Sequence, residues 1–384
     1  MDTLLRTYFP IIRTREEVLD LIGEKEKLTD LFEGWSEEQQ EEFLDFCTGA
    51  KGVKMLYDSF FKEIFNPEYH AERLEELLSL LLETKIRIKQ ILPNDSVRLA
   101  DEYTLLITDI VIETEDGRIA NLEIQKIGYA FPGQRTACYS ADLLLRQYKR
   151  VKDRKRRENK KFNYRDLKKV YTIVLFEKST REFHEIPDKY LHYGEHTYDT
   201  GLRLETLQKS VLVALDIFRK NIENRSIENK LEAWLLLLSS DEPERIMELL
   251  EKYPEFREIY EEVYQMCRNV EGIMSLFSKE LEEMDRNTVS YMIEELEAEV
   301  KAAEERAEQE RKEREAAEER AEQERQERET AEERAKQEKQ EREAAEERAK
   351  QEKQEREAAE ERAKQQIAEL QERIRRLESA KKEE

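Results

Sequence analysis

Cysteine is scarce: Cys47, Cys138 and Cys267 are the only three in 384 residues, odd in number and far apart. Such spacing excludes a disulfide framework and a zinc knuckle, and it points to a reducing compartment. The chain also lacks a GxxxxGK(S/T) phosphate loop, an HExxH pair and a GxSxG elbow. Phosphate-loop nucleotide hydrolysis, zinc proteolysis and a serine triad therefore have no support. Long apolar runs are missing. The longest, Leu77–Leu82 and Leu235–Leu238, fall far short of the roughly 20 residues that span a bilayer. The opening MDTLLRTYFPIIRTREEV has no basic stretch followed by a long apolar run, so no signal peptide is expected. A soluble, cytoplasmic protein with no membrane partner is the expectation. Positive charge is in deficit, with 67 Lys and Arg against 90 Asp and Glu and a net charge of −23. A nucleic-acid partner would need a local basic patch rather than the whole surface.

What is present divides unevenly. Charged residues reach 41 % and mean hydropathy is −0.89, but the excess lies after about Glu294. Four regions follow: a helical extension over 1–50, an α/β core over 51–204, a helical bundle over 205–290, and a charged tail over 291–384. In the first, Thr14 with Glu17 forms a capping box, and Ser36 is a second helix start. In the second, Leu74, Leu77, Leu78 and Leu81 repeat at helical spacing after a break at Asn66-Pro67. Ile86–Leu92 reads as a strand ended by Pro93-Asn94-Asp95. Val170–Phe176, VYTIVLF, reads as a strand buried on both faces.

The stretch LLITDIVIETEDGRIANLEIQK, Leu105 to Lys126, carries both structure and chemistry. Two β-branched runs flank Glu115-Asp116-Gly117, the signature of a hairpin with Gly in the left-handed position. Thr114 and Arg118 then become partners, and counting along the ladder sets Asp109 opposite Glu123. Opposed residues share a face with Cβ atoms roughly 5 Å apart. Alternation adds Asn121 and Gln125 to that face and turns Leu122, Ile124 and Lys126 away. Two carboxylates side by side are unfavourable without a cation between them, and oxygen-only ligands suit a hard ion such as Mg²⁺. Taken alone, the hairpin also reads as an edge with its charges in water, the commoner fate of acids in strands. Asp109, set among Ile107 and Val111, argues against that.

Pro132-Gly133 opens a helix, Gln134–Tyr148, whose expected core stripe is Ala137, Ala141, Leu144 and Tyr148. A polar stripe, Arg135, Tyr139 and Asp142, could turn toward the carboxylates. Residues 149–169 are strongly basic, including Arg154, Lys155, Arg156, Arg157, Lys160 and Lys161, with Tyr148, Phe162 and Tyr164 interleaved. That mixture reads either as a grip on a phosphate backbone or as a solvated loop. His192 and His196 have metal-ligand spacing, but Tyr193-Gly194 between them argues for a loop rather than a zinc-binding helix.

The tail repeats a 14-residue unit, AAEERAEQERKERE, from Ala302. Fourteen is two heptads, yet the repeat carries only alanines as apolar residues, so its seam is weak. Glu-before-Arg pairs such as Glu324 to Arg328 each add about 0.2–0.5 kcal/mol of helix stability. Ile367, Leu370, Ile374 and Leu377 form a true a/d seam. The tail reads as a charge-laced helix with a short zipper, or as a full coiled coil, and a homodimer or another helical partner would pair through it.

The segments DSFFKEIFNPE, TDIVIETEDGRIANLEIQ, QRTACYSADLLLRQY and YRDLKKVYTIVLFE, in that order, closely resemble the Rpn family of recombination-promoting nucleases and transposases. That family lies within the PD-(D/E)xK superfamily. The resemblance covers about residues 50–220 and implies a restriction-endonuclease-like αβββαβ core that cuts DNA with Mg²⁺, or Mn²⁺ in its place. It carries Asp109 and Glu123 over as metal ligands. Gln125 takes the catalytic position where many superfamily members have lysine, and Arg135 and Tyr139 match the helix motif that follows and are expected to contact the DNA. The implied function is a DNA endonuclease linked to recombination or transposition. The alternative is a catalytically degenerate nuclease fold that binds DNA or scaffolds through its tail.

Overall fold

A computed structural model describes residues 3–92, 110–126 and 132–380. The chain forms two compact units, Met1–Glu297 and Ala298–Glu384. The first begins with short helices α1 (Leu4–Tyr8), α2 (Arg15–Gly23), α3 (Glu26–Glu33) and α4 (Glu37–Thr48). The Thr14–Glu17 capping box closes as expected. Ser36 caps α4 with Gln39 as its reciprocal partner, one position beyond the acids of the first turn. Helices α5 (Asp58–Ile64) and α6 (Ala71–Leu81) follow, separated at Asn66-Pro67. The four leucines expected on the core face of α6, Leu74, Leu77, Leu78 and Leu81, are all buried.

The chain then enters a mixed sheet through β1 (Ile88–Ile91), β2 (Ile110–Thr114) and β3 (Ile119–Gln125). Helix α7 (Pro132–Arg157) crosses over to β4 (Val170–Phe176). The expected order of helix, strand, hairpin, helix and strand is thus present. Beyond it come α8 (Arg181–His184), β5 (Leu191–Glu195) and β6 (Gln208–Ala214). Among the described residues the sheet has six strands, ordered β1-β2-β3-β4-β6-β5. β3, β4 and β6 run parallel, and the outer strands are antiparallel.

Two expectations fail here. Residues 208–214, read as helical, pair along their whole length with β4. The 192–196 segment is not a loop through Tyr193-Gly194, because β5 continues through both. Gly194 lies opposite Ser210, and a Cβ there would approach the Ser210 Oγ to 2.3 Å. Glycine marks a close approach, not a chain break.

Each face of the sheet has its own cover. Ile110, Ile112, Ala120, Leu122, Tyr171, Ile173, Leu175, Val211 and Val213 join the large core made with α1 to α6 and the later helices. Those helices are α9 (Leu215–Ile222), α10 (Lys230–Ser239), α11 (Pro243–Lys252), α12 (Arg257–Cys267) and the start of α13 (Val270–Ala380). The opposite face has two apolar islands. Val111, Ile119 and Val170 meet Leu143 of α7 and Leu92, while Val174 and Phe176 meet Phe183 and Ile217. Between the islands, side chains of β3 on this face are polar, and they form the candidate site.

Unit 2 is a stretch of α13 whose described side chains are exposed almost throughout. Its helicity rests on local pairs such as Glu308–Lys312 at 2.8 Å, Glu324–Arg328 at 3.7 Å and Glu372–Arg376 at 3.0 Å. No helix among the described residues is long and apolar enough to cross a membrane.

Candidate active site

The β2–β3 hairpin has the register that its loop residues dictate. Glu113 faces Ile119, Ile112 faces Ala120, Val111 faces Asn121 and Ile110 faces Leu122. Gly117 takes φ +85°, and Thr114 closes the turn with its amide on the Arg118 carbonyl at 2.9 Å. Asp116 reinforces it. Burial alone would raise the Asp116 pKa, but hydrogen bonds from Arg118 and Thr114 outweigh that and hold it down at about 2. Asp109, the expected partner of Glu123, lies outside the described residues.

Strand alternation sets Asn121, Glu123 and Gln125 on the α7 side. All three are buried, Glu123 to 4 % exposure. Thr172 of β4, the register partner of Asn121, is buried beside them. A carboxylate removed from water requires compensation, and neighbours supply part of it. Gln125 points its Nε2 at Glu123 Oε1 across 3.5 Å. Tyr139 of α7 lies beside Glu123; burial, and then the Glu123 charge, push its phenol well above the ordinary tyrosine range. Tyr139 therefore keeps its proton, which it can offer to the carboxylate. Arg135, one turn earlier, donates from Nη2 to the Tyr139 hydroxyl at 3.1 Å. The polar stripe of α7 thus reaches the carboxylate through Tyr139 and Arg135. Asp142, its third member, instead pairs with Arg146 at 2.7 Å.

The apolar stripe of α7 is not the expected one. Ala137 and Ala141 face solvent, and the buried face runs through Thr136, Tyr139, Ser140, Leu143, Gln147 and Val151. A helix that covers a polar site buries polar residues, so hydrophobic periodicity selects the wrong face. Gln147, which no sequence signal singles out, fixes α7 in place. Its amide donates to the Gly117 carbonyl at 3.2 Å and accepts from the Lys168 amide at 3.0 Å.

α7 also runs nine residues past its expected end at Tyr148, so the first part of the basic segment is helical. Arg154, Arg156, Arg157, Lys160 and Lys161 are exposed, while Lys155 pairs with Asp166 at 2.8 Å. Arg150, Arg154, Arg157, Lys168 and Lys89 line a groove of about 240 Å³ beside the hairpin turn, with Glu113, Asp116 and Asp166 among them. This groove lies at the end of α7 away from Glu123, because α7 runs antiparallel to β3. Fifteen residues separate Tyr139 from Arg154, roughly 22 Å of helix.

Lys126 turns away from Glu123, as alternation requires. It pairs with the buried Glu280 of α13 and lies 4.7 Å from the centre of the Tyr57 ring. Lys62 pairs with Asp58 of its own helix at 2.7 Å. A Ser179–His184–Asp216 cluster lies elsewhere, but both partners meet His184 at Nε2, at 3.2 and 3.0 Å. An imidazole used at one nitrogen only cannot relay a proton from serine to aspartate.

The donor set fits a hard divalent cation. Oxygens of Glu123, Gln125 and Asn121 share one buried face, and the Asn121 side chain meets no hydrogen-bond partner among the described residues. Those residues alone include no cluster of three His, Cys, Asp or Glu side chains able to hold a metal; Glu123 is the acid they contribute here.

Compared with known proteins, residues 55–290 match the family model described as PD-(D/E)XK nuclease family transposase. No curated protein and no solved structure matches the chain.

Proposed function

The chain belongs to the PD-(D/E)XK nuclease family of transposases, and on that premise we propose that it is a Mg²⁺-dependent DNA endonuclease serving recombination or transposition in the cytoplasm. The observation that carries this reading is the buried Glu123 carboxylate, held between Gln125 and Tyr139 on the polar face of the sheet. Glu123 and Asp109 would hold the cation, with Mn²⁺ able to replace Mg²⁺. A divalent ion there supplies charge neutralisation at the scissile phosphate and lowers the pKa of an attacking water. Tyr139 fixes the Glu123 carboxylate by donating to it, and Arg135 fixes Tyr139. Gln125 orients water by hydrogen bonding but brings no charge of its own. Arg150, Arg154 and Arg157 hold the phosphate backbone of the duplex away from the cut.

The test is nicking of supercoiled plasmid. Wild type should nick with Mg²⁺ and not with EDTA. Asp109→Ala and Glu123→Ala should each lose nicking while keeping the far-ultraviolet dichroism of the parent. Full nicking by both variants would sink the assignment.

One feature favours a second reading. Gln125 stands where a lysine serves in many superfamily members, and its amide is turned onto Glu123. A retired nuclease that binds DNA without cutting would show no Mg²⁺ or Mn²⁺ binding by calorimetry. It would keep salt-sensitive DNA binding.

A further inference from the structure

At and beyond Tyr148, the end expected for α7, three aromatic rings gather on the surface. Phe162 lies edge-on to Tyr148, with centroids 5.2 Å apart at 87°, and edge-on to Tyr164, at 5.3 Å and 75°. Tyr148 and Tyr164 are within 18° of parallel at 6.4 Å. Tyr164 is 74 % exposed. An isolated exposed tyrosine needs no explanation, but this one is held rigidly. It opens a single turn of 3₁₀ helix, Tyr164–Asp166, closed by a capping box on Asn163. The Lys155–Asp166 pair ties that turn back to α7, and Leu167 is buried directly after it. Lys152 adds a cation 5.2 Å from the Tyr148 ring centre.

The charge around the rings is opposite to that of the whole molecule. Residues 149–169 carry twelve Lys or Arg against Asp153, Glu158 and Asp166, in a chain of net charge −23. A basic surface attracts the phosphate backbone of any nucleic acid. Exposed, preorganised ring faces add something that only unpaired bases can use. Bases in a duplex already stack on one another, whereas single strands offer free π-faces. We propose that Tyr164, supported by Phe162 and Tyr148, is a stacking platform for single-stranded DNA. Tyr148, at the base of the platform, lies nine residues along α7 from Tyr139, roughly 14 Å of helix. This assignment rests on the nuclease reading only for the identity of the polymer as DNA. It gives that enzyme a substrate class, DNA with an unpaired stretch a few nucleotides from the scissile bond.

The experiment is fluorescence anisotropy on the full chain in EDTA, so that cleavage plays no part. The probes are a labelled oligothymidine, an oligouridine of equal length and a blunt duplex. Tyr164→Ala should weaken oligothymidine binding about 5- to 150-fold, the range expected for loss of one stacked base. Tyr164→Phe should retain it, and duplex affinity should change less than twofold in both. Plasmid nicking by wild type with Mg²⁺, read separately, decides the nuclease reading, so failure of the platform and failure of that reading are distinguishable. An unchanged oligothymidine affinity in Tyr164→Ala overturns the proposal. So does an equal loss on duplex, or tighter binding of oligouridine than of oligothymidine.

Discussion

Glu123 is the acid around which the candidate site is built, and its surroundings divide into what a sequence can and cannot reveal. Its face follows from strand alternation, and its register follows from Gly117, which alone in the loop accepts φ +85° without strain. Its neighbours on β3 were therefore legible. Its burial was not, because it depends on α7, and α7 covers the sheet with Thr136, Tyr139, Ser140 and Gln147 instead of an apolar stripe. The relay from Arg135 through Tyr139 to Glu123 gives a sharp prediction. Tyr139→Phe keeps the ring and its packing but removes the donor to the carboxylate. Loss of a hydrogen bond that orients a metal ligand typically costs 10–100-fold in metal affinity or activity. Mg²⁺ titration of plasmid nicking should show that loss with the melting temperature nearly unchanged. The pH direction follows from the raised Tyr139 pKa. A folded-state pKa above the unfolded value of about 10 means that the donor is fully in place below pH 10. Its contribution fades only as pH climbs through the higher folded value. Any activity loss below pH 10 must then arise elsewhere, and the wild-type and Tyr139→Phe profiles should be parallel in that range.

α7 is the element that gives the site its reach. One end covers Glu123, the middle is pinned through Gln147 to the hairpin turn and to the entry of β4, and the last turns carry Arg150, Arg154 and Arg157. The basic residues were legible in the sequence, but the length of the helix that carries them was not. Apolar periodicity fades after Val151, while Lys and Arg are good helix formers that continue without it. β6 was hidden for the converse reason. Its sequence QKSVLVA is polar where the strand begins and apolar where it goes under the helices, so neither period dominates. The helical continuation of α7 makes its arginines a rigid row, and a rigid row has a countable electrostatic effect. The double variant Arg154→Ala/Arg157→Ala should weaken duplex binding. It should also lower the slope of log K against log salt by about 1.8, near 0.9 for each phosphate no longer neutralised. Far-ultraviolet dichroism should stay unchanged, because both side chains are exposed. An unaltered slope would remove the groove from the interface.

At the scale of the molecule, the chain joins two kinds of material, and only one of them folds by burying a core. The first unit encloses apolar side chains from α1 through the first turns of α13. The described side chains of the second form no such interior, and charge pairs along one helix account for its order. Its composition made that division plain in the sequence, since alanine, glutamate, arginine and lysine without glycine or proline favour helix and little else. What composition left open is whether the helix stands alone. Near its end Ile367, Leu370 and Ile374 are 56 %, 58 % and 53 % exposed, spaced three and four residues apart on one stripe. Isoleucine at a and leucine at d is the arrangement that favours two parallel strands. The stripe covers only about two heptads, so the pairing should be concentration-dependent rather than permanent. Analytical ultracentrifugation of the full chain should show a monomer–dimer equilibrium in the micromolar range. Leu370→Glu would set two like charges against each other at the centre of the seam and should leave a monomer at every concentration tested. The variant should keep the melting temperature of the first unit, whose core contains none of these residues. If it dimerises as wild type does, the interface between copies lies outside the seam, and the tail is a lone charged helix.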